Sequence, residues 1–265
     1  MRATEAFVKR PLMTLFALAT LPILGGMADT FPAESGSIEI TPIIHSSVQI
    51  EHAGKVIQVD PWSAGDLSRA KPADLILVTD DVGHHLDAKA IQRLRKPGAP
   101  VIIAANGKAQ VPDGTVLANG QSTVAAGVRV EAVAAYDIKP GAPEHPKGEA
   151  NGYVITLGGR RLYFAGVTEC VPEVKALKNI DVAFVPMNIP PERMTPDETA
   201  ACVKALSPKV VYVYHYDQDF ASRAADPKAA LRGVPGGKTV AQTLDGFRKA
   251  MIGVSTEVRL GRWYP

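Results

Sequence analysis

The connections between apolar runs change type partway along this chain, and that change is the strongest constraint on its fold. As far as Ala165 the runs are joined by short turns. Ile38 to Ile50 and Lys55 to Val59 flank Glu51-His52-Ala53-Gly54, and Tyr153 to Leu157 and Leu162 to Ala165 flank Gly158-Gly159. Both patterns predict antiparallel hairpins. In the second half the buried-strand runs Asp181 to Val185 and Val210 to Tyr214 are separated by a helix with an explicit start: Thr195 as N-cap, Pro196 at the first helical position and Glu198 completing a capping box. A last helix, Val240 to Ile252, puts Val240, Leu244, Phe247 and Met251 on one face, and a strand near Glu257 to Leu260 follows. Hairpins first and strand–helix alternation later predict an α/β (α+β) protein with two mixed sheets packed face to face and helices outside. A doubly wound single sheet does not accommodate so many early hairpins.

No repeat, low-complexity run or linker divides the chain after residue 30, so one domain is expected over 38–265. Residues 1–28 read differently. Arg2, Lys9 and Arg10 precede the apolar stretch Pro11 to Leu24, and Gly26-Met27-Ala28 offers small residues before a cut after Ala28. This is the layout of a secretory signal peptide, and the stretch is shorter than a spanning helix needs. The expected mature protein is periplasmic or secreted, with no membrane attachment after cleavage. The full chain carries 29 basic and 27 acidic residues, a formal net charge of +2. The leader takes Arg2, Lys9, Arg10 and Glu5 with it, so both counts fall to 26. A neutral mature domain argues against nucleic acid as a partner and toward a small-molecule substrate chosen by a local site. Cys170 in a loop and Cys202 in the helix after Thr195 are expected to be free, mostly buried thiols, although an exported chain permits a bridge.

Chemistry concentrates after the buried strand Leu75 to Thr79. In the stretch Thr79-Asp80-Asp81-Val82-Gly83-His84-His85-Leu86-Asp87, the eight residues from Asp80 to Asp87 pack three carboxylates and two imidazoles. Imidazole and carboxylate are ligands for a borderline cation such as Zn²⁺, and Asp87 also serves as a cap for the helix that carries Ala90, Ile91 and Leu94. Of the six histidines, His84, His85, His145 and His215 follow strands or lie in loops, where side chains converge at a sheet edge. His52 reads as a solvated turn residue, and His45, inside an apolar run, as a satisfied structural histidine. Other chemistries lack their signatures. Ser46-Ser47 has no GxSxG elbow, Cys170 has no local nucleophile motif, and Gly236-Gly237-Lys238-Thr239 lacks the first glycine of a phosphate loop, having Arg232 in its place.

The 79–87 segment resembles the THxHxDH loop of the metallo-β-lactamase superfamily, and more closely the TDxHGDHLD form of its L-ascorbate-6-phosphate-lactonase-like branch. The resemblance runs in order along nearly the whole mature chain: Asp60-Pro61-Trp62, Tyr136-Asp137, His145-Pro146-Lys147-Gly148, Gly152-Tyr153, Ala165-Gly166-Val167-Thr168-Glu169, Ile180 to Ala183, Met194-Thr195-Pro196 and His215-Tyr216. It implies a four-layer αββα sandwich and a metal-dependent hydrolase. Two departures stand out. Val82 replaces the loop's second histidine, and Val167 replaces the aspartate that bridges two ions. A reduced, mononuclear site is therefore expected, holding one Zn²⁺ on His84, His85 and His215. Asp80 is then a ligand or the base orienting water, and His145 a ligand or the group polarising the substrate oxygen. The implied reaction is attack of water on a small lactone, ester, amide or phosphoester. The alternative is a catalytically degraded relative that binds a small ligand or a protein in the same cleft.

Overall fold

A computed structural model describes residues 28–141, 143–187 and 193–264. The expected leader, save Ala28, lies outside the described residues.

The first sheet contains β1 (Asp29–Ala33), β2 (Gly36–Ile44), β3 (Ser47–His52), β4 (Lys55–Val59), β5 (Leu75–Val78), β6 (Val101–Ile103) and β7 (Thr115–Val116), in that spatial order. The second contains β8 (Ser122–Ala125), β9 (Val128–Ala135), β10 (Ala150–Leu157), β11 (Arg160–Phe164), β12 (Val182–Pro186), β13 (Val210–Tyr214) and β14 (Glu257–Arg259), again with sequential neighbours. In each sheet the first three junctions are antiparallel and the last three parallel. The change of connection type therefore happens twice, once per sheet. The helices are α1 (Ala88–Leu94), α2 (Pro172–Ala176), α3 (Pro196–Leu206), α4 (Gln218–Ala225) and α5 (Val240–Ala250).

The sheets bury their facing sides against each other. Ile38, Ile40, Val48, Ile50 and Ile57 of the first sheet join Tyr153, Ile155, Phe164, Phe184 and Tyr212 of the second in one core. Phe164, Phe184 and Tyr212 are cross-strand partners on β11, β12 and β13. Their rings stack at 4.6 and 4.9 Å between centroids, a geometry that adds to the area each ring buries. Leu86 and Ile91, in and before α1, pack on Ile76, Val78 and Val101 outside the first sheet. On the second sheet, α3 and α5 supply Ala200, Val203, Leu206, Phe247 and Met251 to the core. This is the expected four-layer αββα order.

Several local expectations hold. Asp87 caps α1 by accepting from Lys89 N and Ala90 N, and Thr195 and Glu198 form the capping box of α3. Three expectations need correction. The sheet starts earlier than Ile38, because β1 pairs with β2 in register from Asp29↔Ile40 to Ala33↔Gly36. The run Ile38 to Ile50 is not one strand: Ile44 pairs with Ser47 and leaves His45-Ser46 as a two-residue turn. Finally, Cys170 and Cys202 form a disulfide rather than free thiols, with Cα atoms 5.5 Å apart. The loop before α2 lies against α3, within the distance at which two cysteines bridge without backbone movement.

Candidate metal centre

Strand ends converge at one edge of the sandwich. The two sheets are pinned there by Asn151 N donating to Thr79 O at 2.9 Å and by the Tyr153 hydroxyl donating to Val78 O at 3.0 Å. Gly166, at φ +66°, has no room for a side chain: a Cβ would sit 2.9 Å from both Asn151 O and Thr79 Cβ. That close approach brings the loop after β11 against the loop after β5.

Four imidazoles meet at this edge. His215 follows β13, and its Nε2 lies 3.1 Å from His85 Nε2 and 3.3 Å from His84 Nε2. The ligand nitrogens of His45, His84 and His215 lie within 4.8 Å of one another. His45 was read from sequence as a satisfied structural residue; the structure instead puts its fully buried ring 3.9 Å from that of His215, with Nε2 unpartnered. Its Nδ1 lies 2.7 Å from the Tyr264 hydroxyl, and its backbone accepts from His215 N at 3.2 Å. His45 and His215 both adopt left-handed backbone, at φ +55° and +57°. Such strain in non-glycine residues persists where surrounding structure over-determines it. His52 is remote from this group; its ring rests on Ser37 O.

Asp60 is the other residue missed as a site group. Buried at the end of β4 with φ +44°, it accepts from Thr79 N and from the Thr79 hydroxyl, and its Oδ2 lies 2.7 Å from His85 Nδ1. A carboxylate on Nδ1–H fixes the tautomer that leaves the Nε2 lone pair facing the other imidazoles. The available signal was the Asp60-Pro61-Trp62 triplet ending a buried run. Gln218, at the start of α4, also reaches the His215 ring, its side-chain nitrogen 2.5 Å from Nδ1.

Burial, and then the neighbouring imidazoles, push the basicity of these rings down. His84 falls to about 3, and His45 and His215 lie well below the ordinary histidine value. They are neutral at pH 7, the state in which imidazole ligates a metal.

Asp80 and His145, both expected near a metal, are paired with each other: Nε2 of His145 lies 3.2 Å from Asp80 Oδ2. On the other ring edge Nδ1 lies 3.5 Å from Asp137 Oδ2, which also accepts from Glu144 N and His145 N and pairs with Arg193 at 2.6 Å. Burial alone would raise the Asp80 carboxyl, but the pairing with His145 outweighs it and holds the group at about 2. Burial opposes the charge on His145, and the contact with Asp80 overcomes it and shifts the imidazole upward. Val82 and Val167 line a cavity of about 290 Å³ together with His84, His145 and His215.

Two seven-stranded mixed sheets with a histidine nest at one edge define the metallo-β-lactamase class of fold. A family model described as the β-lactamase superfamily domain matches residues 39–215. A UPF0173 metal-dependent hydrolase of Thermococcus onnurineus is 30% identical over 198 residues, covering 69% of this chain and 86% of the relative. A protein of Parabacteroides distasonis, solved by crystallography and assigned as a metal-dependent hydrolase, superposes with a TM-score of 0.76 at 34% identity over 90% of this chain and all of the other. A metallo hydrolase from Ignicoccus hospitalis shares the fold at 21% identity, with a TM-score of 0.62 over 84% of this chain and 94% of its own. The chain belongs to the metallo-β-lactamase superfamily, within its metal-dependent hydrolase relatives.

Proposed function

We propose that the protein is a hydrolase with a single divalent ion, zinc, held by His84, His85 and His215. The observation that carries this is the spacing of the Nε2 atoms. Four-coordinate zinc with bonds of about 2.0–2.1 Å requires ligand nitrogens roughly 3.3 Å apart, and His215 meets its two neighbours at 3.1 and 3.3 Å. The unpartnered, buried Nε2 of His45 beside them is a further sign that the nest is shaped for a cation. A divalent ion there supplies Lewis acidity, which polarises a carbonyl or phosphoryl oxygen and lowers the pKa of water. The chain's own groups do the rest. Asp60 and Gln218 orient the imidazoles of His85 and His215, and His145, held between Asp80 and Asp137, forms part of the cavity wall. The substrate reads as a small lactone, ester, amide or phosphoester.

Metal analysis of protein purified without chelator tests this. About one equivalent of zinc, absent from His215→Ala, is the expected result; no bound metal after incubation with micromolar zinc rejects it. The second reading, a binding module without turnover, is favoured by Val82 and Val167, which remove two donors from the cavity wall. A metal-loaded protein inactive against ester, lactone, amide and phosphoester panels would favour that module. We also propose export with cleavage after Ala28. The Cys170–Cys202 bridge supports an oxidising compartment, and β1 begins at Asp29, just beyond the cut. Intact mass of the expressed protein should show loss of residues 1–28.

A further inference from the structure

The cavity beside the nest has a cation that no carboxylate among the described residues pairs with. Arg232 lies on its wall. Asp219, the nearby carboxylate, does not pair with the guanidinium: its two oxygens accept from Arg232 N at 2.9 Å and Gly233 N at 2.8 Å. The carboxylate therefore fixes the course of the backbone and leaves the side chain available. Among the described residues no carboxylate forms an ion pair with Arg232. Ser222, on α4, puts an exposed hydroxyl on the same wall.

The remaining charges around the cavity limit what this cation can receive. His145 is already balanced by Asp80 and Asp137. Glu144 adds a carboxylate to the wall and opposes a second negative charge on a ligand. One guanidinium and one carboxylate on the same wall suit a monoanion, and the planar fork of arginine matches a carboxylate in two-point contact. Val82 and Val167 supply an apolar surface in the same space, Val82 being 37% exposed. The substitutions that remove two metal donors thus also create a place for hydrocarbon. At about 290 Å³ the cavity is near the lower end of the ligand-site range of roughly 300–1,000 Å³, which restricts the ligand to a small molecule.

We infer that the cavity takes a small carboxylate-bearing substrate, its carboxylate held by Arg232 and its apolar portion packed against Val82 and Val167. This rests on the hydrolytic reading for the reaction, but the recognition step needs only the cavity, so the two fail separately. The test is binding of 3-phenylpropanoate, 3-phenylpropan-1-ol and phenyl phosphate by calorimetry, on protein both loaded with zinc and treated with chelator. The propanoate should bind about tenfold more tightly than the alcohol, as expected for a hydrogen bond to a charged group. Arg232→Ala should bring the propanoate to the level of the alcohol while metal content and thermal midpoint stay unchanged. That pattern in the chelator-treated protein supports the inference even where the metal reading fails. It is overturned if Arg232→Ala leaves propanoate binding unchanged, if propanoate binds only when zinc is present, or if phenyl phosphate is the tighter Arg232-dependent ligand.

Discussion

Two groups of side chains meet in the one cavity, and they solve the problem of buried polarity in opposite ways. In the nest, His45, His84 and His215 are kept neutral by burial and by one another, and their ring nitrogens converge. In the arm, the carboxylates of Asp80 and Asp137 lie directly against His145, and Asp137 against Arg193. The difference is set by donors. Where Val82 and Val167 take away two donors, the residual carboxylate and imidazole neutralise each other. The nest gathers neutral ring nitrogens, whereas the arm sets carboxylates beside an imidazole and a guanidinium.

The comparison is broken most severely by restoring what the arm lost. Beyond His215→Ala, which empties the nest, the double change Val82→His with Val167→Asp should raise metal content from about one equivalent toward two, measured by elemental analysis. An unchanged stoichiometry would mean that the arm does not occupy the place of a second metal. Next in size is Asp60→Asn, which keeps the shape but removes the charge behind His85. Metal affinity should fall roughly 10- to 100-fold, as is typical when the partner of a ligating histidine is altered, read by competition with a chromophoric chelator. Asp80→Asn leaves the nest's supports in place and should change affinity far less; equal losses would erase the distinction.

The smallest effect is on stability against pH in metal-free protein. His145 has a raised folded pKa, so its contribution is present below the ordinary histidine pKa and disappears as pH rises through the folded value. Asp80, depressed to about 2, contributes above the ordinary carboxylate range and loses that contribution as pH falls toward 2. The arm therefore stabilises from about pH 4 to somewhat above pH 6.5. The nest has the opposite sign at acid pH: His84, depressed to about 3, costs stability progressively as pH falls below about 6.5. His145→Gln should lose on the order of 1–2 kcal/mol at pH 5 and much less at pH 9, measured by urea unfolding. A loss equal at both pH values would show that the arm is held by packing rather than charge.

Much of the fold is legible in local pattern. The hairpin at Gly158-Gly159, the buried runs of β5, β12 and β13 and the capping box at Thr195 each follow from a few neighbouring residues. The same is true of His84 and His85, announced by a polar cluster after a buried strand. His45 and Asp60 escape that kind of reading. His45 sits in a two-residue turn without glycine, asparagine or proline, so nothing local divides β2 from β3; its left-handed backbone is set by bonds to Trp263 and His215, far along the chain. Asp60 looks like a strand-end polar residue until Thr79 and His85 fold onto it. The bridge between Cys170 and Cys202 was hidden for the same reason, since its 32-residue separation says nothing of how α3 lies against the loop before α2.

By itself the sequence determined the passage from hairpins to strand–helix alternation, two mixed sheets with helices outside, and the fact that Val82 and Val167 cannot bind metal. Those properties depend on side-chain chemistry and on residues a few positions apart. Only the tertiary structure decided that each sheet repeats the same passage from antiparallel to parallel pairing, that His45 joins the nest, and that Asp80 and His145 turn to each other. Each of these depends on which strand ends reach the same edge, a property set by burying both sheet faces in one core.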